Sequence, residues 1–178
     1  MLLEKGNMWD TEADAYCVPT NGYVKCNGEA VMGCGVAKQV VDMLYGVEKY
    51  LGDFLKSGGN IPYIIGCCCS DSVDGYIVSF PTKGCGEVYN DSSTKRLLPR
   101  MSRRYSRGTY IPGFCLKSEI SLIEASAKIL VKIVDDNGWK RIVLPRVGCG
   151  AGGLFWGDVE PILANIFDDR FVVRRFSS

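Results

Sequence analysis

Short apolar runs alternate along this sequence with longer segments of helical period, the pattern of a sheet covered by helices. The runs 13–19 (ADAYCVP), 63–68, 75–80 (GYIVSF), 141–145 (RIVLP) and 171–176 (FVVRRF) read as strands, each bounded by Gly, Pro, Asn or Asp. Helices are predicted over 36–45, 47–56, 118–136 and 158–167. In the longest, Ile120, Ile123, Ala127, Leu130, Val131 and Val134 keep to one stripe. Ser118 is placed to cap its first turn and Asn137-Gly138 to end it. No repeat and no long linker divides the 178 residues, which predicts one α/β domain spanning 1–178.

Composition narrows the chemistry. The chain contains no histidine, which removes Ser-His-Asp triads, Cys-His dyads and every His-containing metal site. Twenty-one Lys and Arg against 20 Asp and Glu leave a net charge of +1, so the chain as a whole has no field to gather nucleic acid or membrane. The charge is uneven, however: Lys95, Arg96, Arg100, Arg103, Arg104, Arg107 and Lys117 face only Glu87 and Asp91 within 84–117. Nine cysteines without a CxxC pair, behind a start that lacks a signal-peptide pattern, point to free thiols and a cytoplasmic location. Cys67, Cys68 and Cys69 would alternate across a strand, which spoils them as a joint metal site. No apolar run reaches the length of a membrane span, and neither a metal nor a cofactor is expected.

Candidate chemistry begins at the glycines. The stretch 27–38 (NGEAVMGCGVAK) follows a strand and opens into a helix, so bare N–H groups and the positive end of a helix dipole converge where an anion would sit. A second cluster, Gly148-Cys149-Gly150-Ala151-Gly152-Gly153, follows the strand 141–145 and precedes another helix. Two such loops at the carboxyl ends of strands would face each other across the crevice where open α/β sheets bind ligands, and together suggest a diphosphate cradle. Neither matches GxxxxGK[ST] or a clean GxGxxG, which disfavours a nucleoside triphosphatase or an ordinary NAD dehydrogenase.

These residues carry a resemblance. The run 26–37 resembles the first loop of macro domains, ADP-ribose-binding modules, in the branch whose loop reads roughly N-x-x-G-V-M-G-x-G-I-A. Phe80-Pro81-Thr82-Lys83 is similar to the F-P-T-K of that branch. Pro145-Arg146-Val147-Gly148-Cys149-Gly150-Ala151-Gly152-Gly153-Leu154-Phe155-Trp156 resembles its P-x-x-G-C-G-x-G-G-L-x-W loop, and Gly6-Asn7-Met8 its opening Gly-Asp-Ile/Leu. The resemblance implies a three-layer α/β/α fold with a central mixed sheet and ADP-ribose as ligand. It also implies a ligand-binding set of Asn7 and Met8 near the adenine, with Asn27, Val31, Met32, Gly33, Cys34, Gly35 and Val36 around the distal ribose. Pro81 and Thr82 complete the set together with Val147, Gly148, Cys149, Gly150, Ala151, Gly152, Gly153 and Leu154 around the phosphates.

Lys83 and Asn27 are the catalytic residues that the resemblance implies. In relatives that remove ADP-ribose from nucleic acid or carboxylate side chains, a lysine at the Lys83 position acts on the anomeric carbon of the distal ribose. An amine does so as a nucleophile or as an electrostatic guide once its pKa is lowered. One lysine-using branch carries Asp where this chain has Gly152, so a carboxylate partner would have to come from Glu29 or Asp158. The function implied is binding of ADP-ribose with hydrolysis of an ADP-ribose linkage. A non-catalytic reader, or an ADP-ribose-1''-phosphate phosphatase working without histidine, stays open. The basic stretch 84–117 replaces a shorter connection in the family. Arg96, Arg100, Arg103, Arg104 and Arg107, with Tyr89, Tyr105, Tyr110 and Phe114 between them, could contact a nucleic acid or a nucleotide-bearing protein that carries the ADP-ribose; a solvated basic excursion with a short helix is the alternative. Trp156 reads as packing beneath the second loop, and Cys149 as a thiol that an anion site could activate.

Overall fold

The computed structural model describes residues 1–69, 73–101 and 104–175. Six strands form one mixed sheet in the order β1-β8-β7-β2-β4-β3. They are β1 (Leu2–Lys5), β2 (Ala15–Asn21), β3 (Tyr63–Cys69), β4 (Asp74–Lys83), β7 (Ile142–Pro145) and β8 (Phe171–Arg175). All neighbours are parallel except β3 and β4. Helices α1 (Gly35–Met43) and α2 (Val47–Ser57) follow β2, α4 (Ile120–Asn137) precedes β7, and α5 (Trp156–Ala164) lies between β7 and β8.

The strands lack polar alternation because both faces of the sheet are buried. Tyr16, Val18, Ile77, Val143 and Val172 point to a core that holds Val36, Val40, Val47 and Leu51 of α1 and α2. Their neighbours Ala15, Cys17, Val78, Ile142, Leu144, Phe171 and Val173 point the other way, onto Ile123, Ala127, Leu130 and Val134 of α4 and Val159 and Leu163 of α5. Three layers, α/β/α, result. Each predicted strand and helix has its counterpart within a few residues; residue 176 of the last predicted strand lies outside the described residues.

Two expectations change. Ser118 does not cap α4: Glu119 holds the cap position without a side-chain bond, the Ser118 N–H donates to the Gly152 carbonyl at 2.8 Å, and its buried hydroxyl finds no partner among the described residues. Strand β1 has no periodic signal because it lies at the sheet edge with Leu2 and Leu3 largely exposed, and backbone pairing with β8 makes it a strand.

The stretch 84–117 is built rather than merely solvated. A hairpin of β5 (Gly86–Val88) and β6 (Tyr110–Pro112) and the short helix α3 (Ser93–Arg96) enclose a small core of Leu97, Ile111, Cys115 and Leu116. Arg96 donates to Glu87 within the stretch and, at 2.6 Å, to Glu119 at the start of α4, which ties it to the main body. No helix among the described residues is long and apolar enough to cross a membrane.

Candidate functional site

A cleft of about 1000 Å³ opens at the carboxyl ends of the adjacent strands β8, β7, β2 and β4. Arg174 and Arg175 end β8, Pro145 ends β7, Asn21 ends β2 and Lys83 ends β4, and all five line the cleft. Three inter-strand steps of about 4.8 Å set β8 and β4 roughly 14 Å apart across the sheet.

The two glycine loops form its walls. Val31, Met32, Gly33, Cys34, Gly35 and Val36 line one side, and Gly148, Cys149, Gly150, Ala151 and Gly152 line another. Cys34 caps α1 without a side-chain hydrogen bond, so side chains leave the first N–H groups of that helix free. A Cβ on Gly33 or Gly150 would meet nothing within 4 Å, so these glycines answer to open space rather than to packing. Gly152 differs. A Cβ there would stand 2.3 Å from both the Gly148 carbonyl oxygen and the Ser118 hydroxyl, which leaves no room for a side chain.

Lys83 is 7% exposed, and its ammonium donates to the carbonyls of Ala151 at 3.0 Å and Phe114 at 3.2 Å. It thus links the second loop to the 84–117 stretch. Burial pulls its pKa down to about 8, and the nearby positive charge of Arg100 acts in the same direction. Thr82 also lines the cleft, its hydroxyl donating to the Thr20 carbonyl.

The remaining expected residues lie elsewhere. Asn27 is exposed on a bend where its side-chain oxygen accepts from the Glu29 N–H at 3.1 Å, and it does not line the cleft. That bend leans on α2, with Ala30 N–H donating to the Glu48 carbonyl and Lys25 bridging Glu29 and Glu48. Asn7 is taken up by the turn that follows it, accepting from the Trp9 N–H and donating to Asp10. Met8 and Val147 are fully buried beneath the site. The Pro81 carbonyl accepts from Ser126, Gly153 faces Leu98, and Leu154 packs into the core. Neither Glu29 nor Asp158 lines the cleft, so neither supplies a carboxylate there.

Sequence reasoning missed Asn21, because it falls at the end of a strand rather than in a glycine loop. Its amide donates to the Val31 carbonyl at 2.8 Å, its oxygen accepts from the Tyr23 N–H, and it faces the cleft. Gln39, Arg146, Arg174 and Arg175 were likewise not singled out, although all line the cleft. The Trp9 indole N–H donates to Gln39 at 2.8 Å.

Electrostatics favour an anion. Lys83, Arg100, Arg146, Arg174 and Arg175 line the cleft and, among the described residues, no carboxylate does. Arg174 is paired with Glu4, while the guanidinium of Arg146 lies 5.0 Å over the Trp156 ring. Of the arginines expected to meet nucleic acid, Arg100 reaches the cleft, Arg96 is held between two glutamates, Arg107 pairs with Asp91, Arg104 is exposed away from the lining, and Arg103 lies outside the described residues. Phe114 lines the cleft edge-on to Tyr23, ring centres 5.4 Å apart. Burial pushes the Cys149 thiol up, the opposite of activation. Among the described residues no cluster of three or more Cys, Asp or Glu side chains is placed to hold a metal ion.

No family model matches the sequence. No curated protein matches it either. Solved structures do. The macrodomain of Mycobacterium tuberculosis DarG superposes with a TM-score of 0.70 at 19% identity, covering 99% of this chain and 97% of that one. The macrodomain of Thermus aquaticus DarG gives 0.61 at 20% identity over 99% and 97%. Thermosipho africanus DarTG in complex with ADP-ribose gives 0.66 at 20% identity, covering 99% of this chain and 42% of that longer one. At these identities the likeness establishes architecture: this chain has the macrodomain fold.

Proposed function

We propose that this protein binds ADP-ribose in the cleft and hydrolyses an ADP-ribose linkage on a nucleic acid or a protein. The observation that carries this reading is the pair of backbone-rich loops, one opening an uncapped helix, that line one cleft together with five cationic side chains and, among the described residues, no carboxylate. That is a setting for a diphosphate, which N–H groups and helix dipoles hold without side chains. Thermosipho africanus DarTG, of which the chain matches 42%, was solved in complex with ADP-ribose, and this supports the identity of the ligand.

Lys83 is the reacting or polarising group. With a pKa of about 8 it is partly neutral near neutrality, so its lone pair can reach the anomeric carbon of the distal ribose as the glycosidic bond breaks toward the leaving group. Asn21 holds the first loop in place, and Arg100 and Phe114 flank the end where the modified group would leave. A second reading, a non-catalytic reader, draws on the two carbonyls that hold the Lys83 ammonium, since a lysine so bonded also serves as a staple.

Calorimetry with ADP-ribose beside AMP and NAD tests the ligand, and indifference to ADP-ribose ends both readings. Release of ADP-ribose from modified DNA, RNA and protein then separates them. Lys83→Ala should abolish turnover while keeping ADP-ribose affinity if the protein is a hydrolase; absence of turnover on every substrate leaves the reader.

A further inference from the structure

Strand β3 closes one edge of the sheet, pairing only with β4, and carries Cys67, Cys68 and Cys69 in succession. Alternation divides the three. Cys68 is buried in the core under α1 and α2, whereas Cys67 and Cys69 are exposed together on the opposite face. Their cross-strand partners are Tyr76 and Asp74, at the start of β4, so the pair sits at the far end of the sheet from Lys83.

The backbone limits what this pair can do. Residues two apart on an extended strand have Cα atoms about 6.6–6.8 Å apart. This is the top of the roughly 4.4–6.8 Å range that a disulfide spans, and the ladder to β4 keeps β3 extended. An S–S bond would have to bend the strand. An ion set between the sulfurs would not, because it adds two bond lengths to the span. The neighbourhood also limits the ion. Zinc in structural sites takes four ligands, and the chain has no histidine and, among the described residues, no third Cys, Asp or Glu grouped with the pair. Thiolates select soft ions, for which the oxygen of Asp74 is a poor competitor.

We infer that Cys67 and Cys69 form a two-thiolate site on the sheet edge for a soft monovalent ion, copper(I). Each Sγ–H loses its proton to solvent as its sulfur donates a pair to the ion, and no electron is transferred.

The test is an anaerobic copper(I) titration against a chromogenic copper(I) chelator. It uses protein in which Cys26, Cys34, Cys85 and Cys149 are serine, so that among the described residues the pair supplies the accessible thiols. One ion per chain is expected. Cys67→Ser and Cys69→Ser should each weaken it by more than the about 100-fold that loss of even an outer-shell partner costs, and Cys68→Ala should leave it in place. Unchanged affinity in Cys67→Ser, one ion shared by two chains, or equal retention of zinc would overturn the site. Should the multiply substituted protein not fold, thiol alkylation of the unmodified sequence read by mass spectrometry decides instead. Copper(I) should protect Cys67 and Cys69 first, and protection confined to other cysteines sinks the proposal.

Discussion

Lys83 concentrates the chemistry of the cleft in one atom, and its burial has two consequences. Turnover that needs the neutral amine should rise with pH and level off above an inflection near 8, the value to which burial brings the group; a flat profile would count against a reacting amine. Stability carries the same signature. The folded lysine releases its proton near 8 and the unfolded one near 10.5, so between those values the unfolded chain binds more protons and the folded state gains as pH rises. Below about 8 the cost of burying the charge is fully present. Melting curves of the unmodified protein and Lys83→Met should therefore converge toward pH 10.5, with the methionine variant the more stable near pH 7. A gap that stays constant across that range would contradict the shift. Gly152 makes a steric prediction. Gly152→Asp should cost stability and ADP-ribose affinity together, because its Cβ would overlap a carbonyl that cannot yield without moving the loop.

At the scale of elements, the two loops are positioned by different means. The first hangs on α2 through Gly52, whose added Cβ would lie 2.1 Å from the Gly28 carbonyl. Gly52→Ala should lower Tm and loosen residues 25–30, which amide hydrogen exchange would register; unchanged protection there would show that the bend is held elsewhere. The second loop hangs on Ser118, whose N–H donates to the Gly152 carbonyl, and meets the 84–117 stretch at Leu98. Arg96 fastens that stretch through Glu87 and Glu119, contacts that are partly exposed and so worth about 1 kcal/mol or less globally. Arg96→Ala is expected to leave Tm nearly unchanged yet speed exchange across 86–88 and 110–112, because the small core beneath it has few apolar side chains to hold it. The basic residues of this stretch looked interchangeable in sequence. Packing distinguishes them: Arg96 fastens, Arg107 pairs with Asp91, and Arg100 reaches the ligand space.

For the whole molecule, the sheet buried on both faces decides stability, and the rim above it decides function. Leu130→Ala, deep between α4 and the sheet, should cost about 2–5 kcal/mol while calorimetry on the folded fraction gives an unaltered ADP-ribose affinity; a parallel loss of affinity would show that core and cleft are coupled. The alternation of apolar runs with helix-period segments determined the layered α/β architecture by itself, since burying both faces of a strand leaves a local signature that needs no partner to be read. The glycine clusters after strands likewise marked two stretches that line the cleft, because a turn at a strand end is a local feature of the chain. Only tertiary structure decided that Asn21 rather than Asn27 faces the cleft, that Asn7 is spent on its own turn, and that Lys83 is buried with a lowered pKa. Those outcomes depend on which side chains residues distant in sequence leave exposed, desolvate or hydrogen-bond, and no local pattern encodes that.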